Sequence, residues 1–271
     1  MKQSTKVSFL KKPLVAVALV AAMTVTAFAA WTYLAPSDVA NHFDAPALAT
    51  AFDSEDALLV NETKSQNGYD ISFLGLVSGA GLSGLETAMS SGENGAMTIM
   101  DASEQNSSGY NVESDKTYAV VAIAKEDGEM SLDDAFFVSP IIHGIQPWQY
   151  NIASMNGMYQ SVILDGVLYR LIECDSMEVF ADRGLSLVVS STVFYSTEAF
   201  DYDGATGLVS PKPGFDGVNV VFDLPLDPAK GDFYKGQQYL DSLWDDSAAP
   251  KESGTAEGSD DLNDSFTIVT E

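Results

Sequence analysis

Cysteine and histidine are almost missing from this chain: Cys174 is the single thiol, and His42 and His143 are the only imidazoles among 271 residues. One cysteine excludes an internal disulfide framework and any thiolate-rich zinc or iron–sulfur site. Two histidines are a poor basis for a His-built metal centre, so no metal and no cofactor is expected. Basic residues are also scarce, with 13 Lys and Arg against 39 Asp and Glu and a formal charge of −26. Nucleic-acid binding takes its affinity from Lys and Arg that neutralise phosphates, so no nucleic-acid partner is expected either. What the chain does have is apolar mass. At 46% hydrophobic and 10% aromatic residues it can bury a core, which excludes wholesale disorder.

The basic residues that exist are concentrated at the start. Lys2, Lys6, Lys11 and Lys12 precede Pro13-Leu-Val-Ala-Val-Ala-Leu-Val-Ala-Ala-Met23, and Ala27-Phe28-Ala29 follows. A basic flank, an apolar core and a small-residue site make a secretory signal peptide. Continued to Leu34, the same run is 22 residues long, enough to span a bilayer with Trp31 and Tyr33 at the outer interface. Both readings, a cleaved signal and a single-pass anchor within residues 1–34, place the rest of the chain outside the cytoplasm. Four of the 13 basic residues lie before Ala30 while every acid lies after it, so the exported part is strongly acidic and expected to be soluble.

Residues 35–244 read as one β-rich domain. Pro36 to Phe43 and Ala45 to Phe52 have prolines near their starts and apolar residues at helical spacing, which predicts two short helices. Ala57 to Thr63 and Tyr69 to Val77 flank Asn67-Gly68, a strong hairpin signal. Further strands are expected at 117–124, 136–139, 157–164, 167–174, 177–180, 185–189 and 218–222, with Asp165-Gly166 as a two-residue turn and a hairpin across 200–209. Short strands at close intervals, without intervening helices, predict a mainly β fold, an antiparallel β-sandwich with short N-terminal helices. Pro228 to Trp244 reads as a closing C-terminal helix. Residues 79–115 are rich in Gly, Ser, Asn and Met and contain no Lys or Arg, so a long flexible insertion is expected, with one helical turn near Leu85 to Met89. Residues 245–271 are acidic and low in apolar content apart from Phe266 to Val269, which predicts a disordered tail.

Catalytic grammar is hard to find. Gly79-Ala-Gly81-Leu-Ser83-Gly84 has glycines but neither the spacing of a nucleophile elbow nor the Lys-Ser/Thr of a phosphate-binding loop. His143 closes an apolar strand without a mechanistic companion nearby, so a backbone-satisfied histidine is favoured over a general base. Cys174 lies between Glu173 and Asp175, which oppose thiolate formation, so it reads as a small buried hydrophobe. Asp201-Tyr-Asp203-Gly204 and Asp260 to Asp264 invite a calcium reading, but neither fits a twelve-residue loop, and turn chemistry and a solvated tail explain them. A glycosidase carboxylate pair could still be drawn in space from 39 acids.

Two constellations are positive. Pro147 to Tyr159 gathers aromatics, methionines and amides without a charge, so Trp148, Tyr150, Asn156 and Tyr159 are the candidate interaction surface, against burial beneath a sheet end. Arg170 and Arg183, the only arginines, stand among Glu173, Asp175, Glu178 and Asp182 and are expected to form ion pairs on neighbouring strands.

Phe136 to Trp148, Tyr150 to Gly157, Tyr169 to Asp175, Val179 to Gly184 and Phe222 to Asp227 resemble runs in a family of extracytoplasmic proteins of Gram-positive, clostridia-like bacteria. That family is similar to the outer portions of anti-sigma-like, single-pass membrane proteins. The resemblance covers roughly residues 31–228 and implies sensing or protein interaction rather than catalysis. It supplies no catalytic residues. Only 12 residues precede the apolar run, fewer than the helical cytoplasmic domain with which such regulators hold a sigma factor. The expected function is an exported, membrane-tethered sensor or interaction domain that is not an enzyme, with a protein or envelope ligand as partner and the membrane as a second partner if the N-terminus is uncleaved. The alternative is a secreted carboxylate-dependent glycan hydrolase or glycan-binding protein.

Overall fold

A computed structural model describes residues 31–78, 99–101 and 113–244. The expected signal or anchor up to residue 30, the helical turn near 85–89 and the acidic tail from 245 lie outside them.

The two prolines act as expected at helix starts, where a missing N–H costs nothing. Helix α1 is Pro36–His42 and α2 is Pro46–Phe52. Strands β1 (Leu58–Gln66) and β2 (Tyr69–Ser78) form the first hairpin, and β6 (Met158–Leu164) and β7 (Val167–Asp175) form another. Both turns place two residues at positive φ, Asn67 and Gly68 at 49° and 77°, and Asp165 and Gly166 at 51° and 79°. That geometry matches the right-handed twist of the strands, and Asn-Gly and Asp-Gly are the pairs that tolerate it.

Six strands make the larger sheet, in the order β1-β2-β4-β7-β6-β3, with β4 at Lys116–Lys125 and β3 at Ile99–Asp101. All its pairings are antiparallel except β3 with β6, which is parallel. Residues 79–115, expected as a flexible excursion, therefore contribute a strand to the sheet edge. A second sheet is ordered β11-β8-β5, from Asn219–Leu224, Leu185–Ser190 and Phe137–Ile142. Pro140 lies in β5, an edge strand, where a residue without an N–H does least harm. The hairpin of β9 (Phe200–Asp203) and β10 (Leu208–Pro211) adds Phe200 and Val209 to the same core.

The large sheet is covered on both faces, which explains its near-continuous apolar strands. In β4, Ala119, Val121 and Ile123 face the second sheet, whereas Tyr118, Val120, Ala122 and Ala124 face α1 and α2. The alanines on that side leave room for the alanine-rich helices. Each fully buried Phe, Leu or Ile in these layers contributes about 1.5–3 kcal/mol, so the sandwich rests on Phe73, Phe180 and Phe222 on one side and Phe43, Phe52 and Leu48 on the other. The fold is mainly β, an antiparallel sandwich carrying two short N-terminal helices and one C-terminal helix, as expected.

Three expectations change. Trp31, Tyr33 and Leu34 do not extend away as part of a span: they pack against the helix-side core, and Leu34 N–H donates to Tyr169 at 3.0 Å. Glu178–Phe180 forms a 3-10 turn instead of a strand, with Met177 and Phe180 buried at a spacing of three. Among the described residues the arginines make no ion pairs. Arg170 shares the inward face of Leu168 and Ile172, while residues an odd number apart, such as Glu173, take the opposite face.

Edges are closed by side chains. Gln66 accepts from the Asn219 N–H at 2.8 Å and donates to its side chain at 2.6 Å, and Lys64 donates to the Val221 carbonyl. These contacts cap the backbone of β11 that would otherwise stand unpaired.

Helix α3 (Phe233–Ser242) starts at Asp232, whose carboxylate accepts from the N–H groups of Tyr234 and Lys235 at 3.2 and 3.1 Å. It docks through buried Leu240 and the Tyr239 ring, 5.8 Å from Phe180. Among the described residues no helix is long and apolar enough to cross a membrane.

Candidate functional site

Residues 146–150 form one helical turn, in which the Tyr150 N–H donates to the Gln146 carbonyl at 3.0 Å. Trp148 and Tyr150 leave this turn toward different neighbours. Trp148 meets Tyr202 of the β9–β10 hairpin edge-on at 5.5 Å, and Tyr150 meets Trp244, just past α3, at 6.0 Å. The turn is thus a wedge between two peripheral elements, held on one side by a Trp–Tyr pair and on the other by a Tyr–Trp pair.

Burial divides the four expected residues. Trp148 is 48% exposed, and the half-buried Tyr150 packs against the core. Asn156 has φ of 46° and donates its amide to Asp175 at 2.7 Å. Tyr159 is half-buried beneath Arg170, whose guanidinium carbon stands 4.1 Å from the ring centre. Tyr150, through Trp244, and Asn156, through the Asp175 that also holds Tyr239, lie near α3, whereas Trp148 packs on the β9–β10 hairpin and Tyr159 packs against the core.

Sequence reasoning missed three further exposed rings. Trp244 is 59% exposed, Tyr234 is 84% exposed and Phe233 lies exposed beside it, 5.8 Å ring to ring. In the sequence, Tyr234 and Trp244 fall within the closing helix expected over Pro228 to Trp244. With Trp148 they give four of the five large exposed aromatic side chains among the described residues, Phe194 being the fifth. Aromatic residues are enriched where proteins bind, because they bury a large area while freezing few torsions.

A polar hub supports the face. Asp175 accepts from Lys116 at 2.8 Å, from Asn156 at 2.7 Å and from the Tyr239 hydroxyl at 2.7 Å. Burial first, then the bond to Asp175, pushes the Tyr239 phenol far above its ordinary range, so it stays a donor. Arg183 reaches α3 through Gln237 at 3.2 Å and lies 4.4 Å from the Phe233 ring centre.

His143 Nε2 lies 2.8 Å from Ser186 Oγ, and burial, opposed by Asp223, lowers its pKa below the usual 6.5. Ser186 is only 5% exposed, a hydroxyl inside a sheet. Cys174 is wholly buried, and burial first, with Asp175 and Glu173, raises its thiol pKa well above the ordinary range. Asp203 caps its own turn, accepting from Ala205 N–H and the Thr206 hydroxyl at 2.8 Å each, and Asp201 lies 3.6 Å from Lys212. Among the described residues no group of three or more His, Cys, Asp or Glu is placed to hold a metal ion.

No family model, no curated protein and no solved structure matches this chain.

Proposed function

We propose that this chain is an exported, membrane-tethered sensor or protein-interaction domain of a bacterial cell surface, and that it acts by binding and not by catalysis. One observation carries the reading: four of the five large exposed aromatic rings among the described residues are Trp148 in the 146–150 turn, Phe233 and Tyr234 at the start of α3, and Trp244 just past its end. Large exposed rings on a stable scaffold cost hydration, and a partner that covers them recovers it. The basic and apolar N-terminus supports export.

The test is photo-cross-linking on intact cells with a probe at Tyr234. A discrete adduct with one envelope protein is expected, and none from a probe at exposed Thr50 on α2, which covers the opposite face of the large sheet. Equal labelling from both positions would sink the reading.

A second reading draws on the same rings. Trp148 and Trp244 are also suited to stack against sugar faces, which favours a secreted glycan-binding protein or glycan hydrolase. Saturable binding or turnover of a wall or plant glycan by the protein would move this reading ahead.

A further inference from the structure

We infer that the apolar loop tip Val193-Phe194 touches the bilayer and that the end of the sandwich bearing it faces the membrane, an inference that rests on the tethered reading above. The first support is the tip itself. Val193 is 55% exposed and Phe194 is 61% exposed, and the two are consecutive in the loop that follows β8. The loop is pinned on both sides of them. Thr192 Oγ1 lies 2.7 Å from Ser190 Oγ and donates to the Phe194 carbonyl at 2.8 Å. Tyr195 stacks on Phe200 at 5.9 Å ring to ring and meets Phe137 edge-on at 6.4 Å, so the residue after the tip packs on the core. From Leu185 to Thr197 no residue is charged, so this segment escapes the cost of bringing a charge to hydrocarbon.

The second support is the place where the chain enters the domain. Leu34 is bonded to Tyr169, and Tyr33 lies beside Ser72 and Asp70. Tyr169, Ala122 and Ser72 are register partners across β7, β4 and β2, a row only a few residues from the Asp165-Gly166 and Asn67-Gly68 turns. The tip loop is fixed to the same end: the Ser191 N–H donates to the Val218 carbonyl at 2.9 Å, and the adjacent Gly217 carbonyl accepts from the Asn67 amide at 2.6 Å. The uncharged run that the tethered reading puts in the bilayer, Pro13 to Ala30, stops one residue before Trp31. Its 18 residues fall within the roughly 17–25 that cross a bilayer, so no spacer separates the membrane from the packed residues 31–34. The domain cannot stand off. Two apolar side chains are too few to anchor a free protein, but a tip held at the bilayer by its own chain makes an intramolecular contact and needs only a small gain. Glu126, Glu129 and Asp165 stand at the same turns and are repelled by an anionic surface, so the contact is with a neutral interface.

The experiment is spin-label accessibility on the full chain reconstituted in phosphatidylcholine vesicles. Val193→Cys, Thr50→Cys and Leu59→Cys each take one nitroxide, because the native Cys174 is wholly buried. Thr50 is exposed on α2, and the exposed Leu59 lies near the start of β1, at the opposite end of that strand from the Asn67-Gly68 turn. The inference expects the nitroxide at position 193 to collide more with oxygen, and less with a water-soluble nickel chelate, than those at positions 50 and 59. Phe194→Ser in the Val193→Cys chain should return it to the rates seen at position 59. Both tip side chains are exposed, so neither change disturbs the core.

Water-like rates at all three positions, in a chain that floats with the vesicles, would overturn the inference and leave the tether in place. Lipid-like rates at position 50 or 59 instead of 193 would overturn it as well, by laying another surface on the bilayer. A nitroxide at position 193 shielded from both reagents would mean a protein contact and would also overturn it. A chain that does not float with the vesicles fails the tethered reading itself, and the inference falls with it.

Discussion

The hydroxyl of Tyr239 donates to Asp175 Oδ2 at 2.7 Å, joining the C-terminal helix to the end of β7 across 64 residues of chain. Asp175 is already held by Lys116 and Asn156, so one carboxylate ties together β4, β7, the loop before β6 and α3. The exposed rings of α3 are positioned through this bond.

Replacing Tyr239 by Phe keeps the ring against Phe180 and removes only the donor. A hydrogen bond to a charged acceptor contributes about 1.5–3 kcal/mol, and Asp175 keeps two other donors, so the expected loss is about 1–2 kcal/mol. Hydrogen exchange should show the loss concentrated in α3, with the β-sheets unchanged. Uniform loss across both sheets would contradict the local role.

Cys174 should be inert in the native protein. Its thiol is wholly buried, and its raised pKa suppresses the thiolate that reacts. A thiol reagent at neutral pH should label it only at the rate at which the protein unfolds, and rapid stoichiometric labelling under native conditions would refute this.

His143 sets a pH dependence. Its folded-state pKa is lowered, chiefly by burial, so the unfolded chain binds more protons as the pH falls through about 6.5, the usual histidine value. The contribution of neutral His143 is therefore full above that pH and is lost progressively as the pH falls toward the lowered folded value. Denaturation midpoints measured between pH 7.5 and 5 should fall, and His143→Gln should flatten that part of the slope.

Arg170 is 3% exposed and is held by Ser161 at 3.0 Å, the Phe136 carbonyl and the Tyr159 ring. Arg170→Lys keeps the charge but loses the planar fork that reaches two acceptors at once. A destabilisation of about 1–3 kcal/mol is expected in urea denaturation. An unchanged midpoint would show that the fork does not matter.

Gly157 lies where the loop enters β6, and an added Cβ would stand 2.2 Å from Ile152 Cγ1 and 2.4 Å from the Ile152 carbonyl oxygen. Backbone cannot yield as a side-chain tip does, so Gly157→Ala should cost about 1–3 kcal/mol through overpacking. Thermal denaturation checks this, and retention of the original midpoint would count against it.

The errors of the sequence reading have physical causes. Met177-Glu-Val-Phe180 is a short, largely apolar run as a buried strand can be, yet Met177 and Phe180 also fit a spacing of three, and packing against α3 selects the 3-10 turn. Arg170 was placed with Glu173 because they are near in sequence, although three residues along a strand put two side chains on opposite faces. Arg183 found Gln237 and Phe233 on a helix 50 or more residues away, which no local pattern announces. Asn219, buried and bonded through its side chain to Gln66, Ala199 and Lys212, was not singled out at all.

By itself the sequence determined what short-range physics controls: Asn-Gly and Asp-Gly turns, proline-led helices, apolar strands, an acidic net charge and an apolar N-terminal run with basic residues before it. Tertiary structure alone decided which strands became neighbours, that the large sheet is covered on both faces, and that the 146–150 turn meets Tyr202 through Trp148 and Trp244 through Tyr150. The division follows from the forces involved. Turn and helix signals act over a few residues of backbone, whereas strand order and the grouping of exposed rings are settled by burial between segments that meet only when the chain has folded.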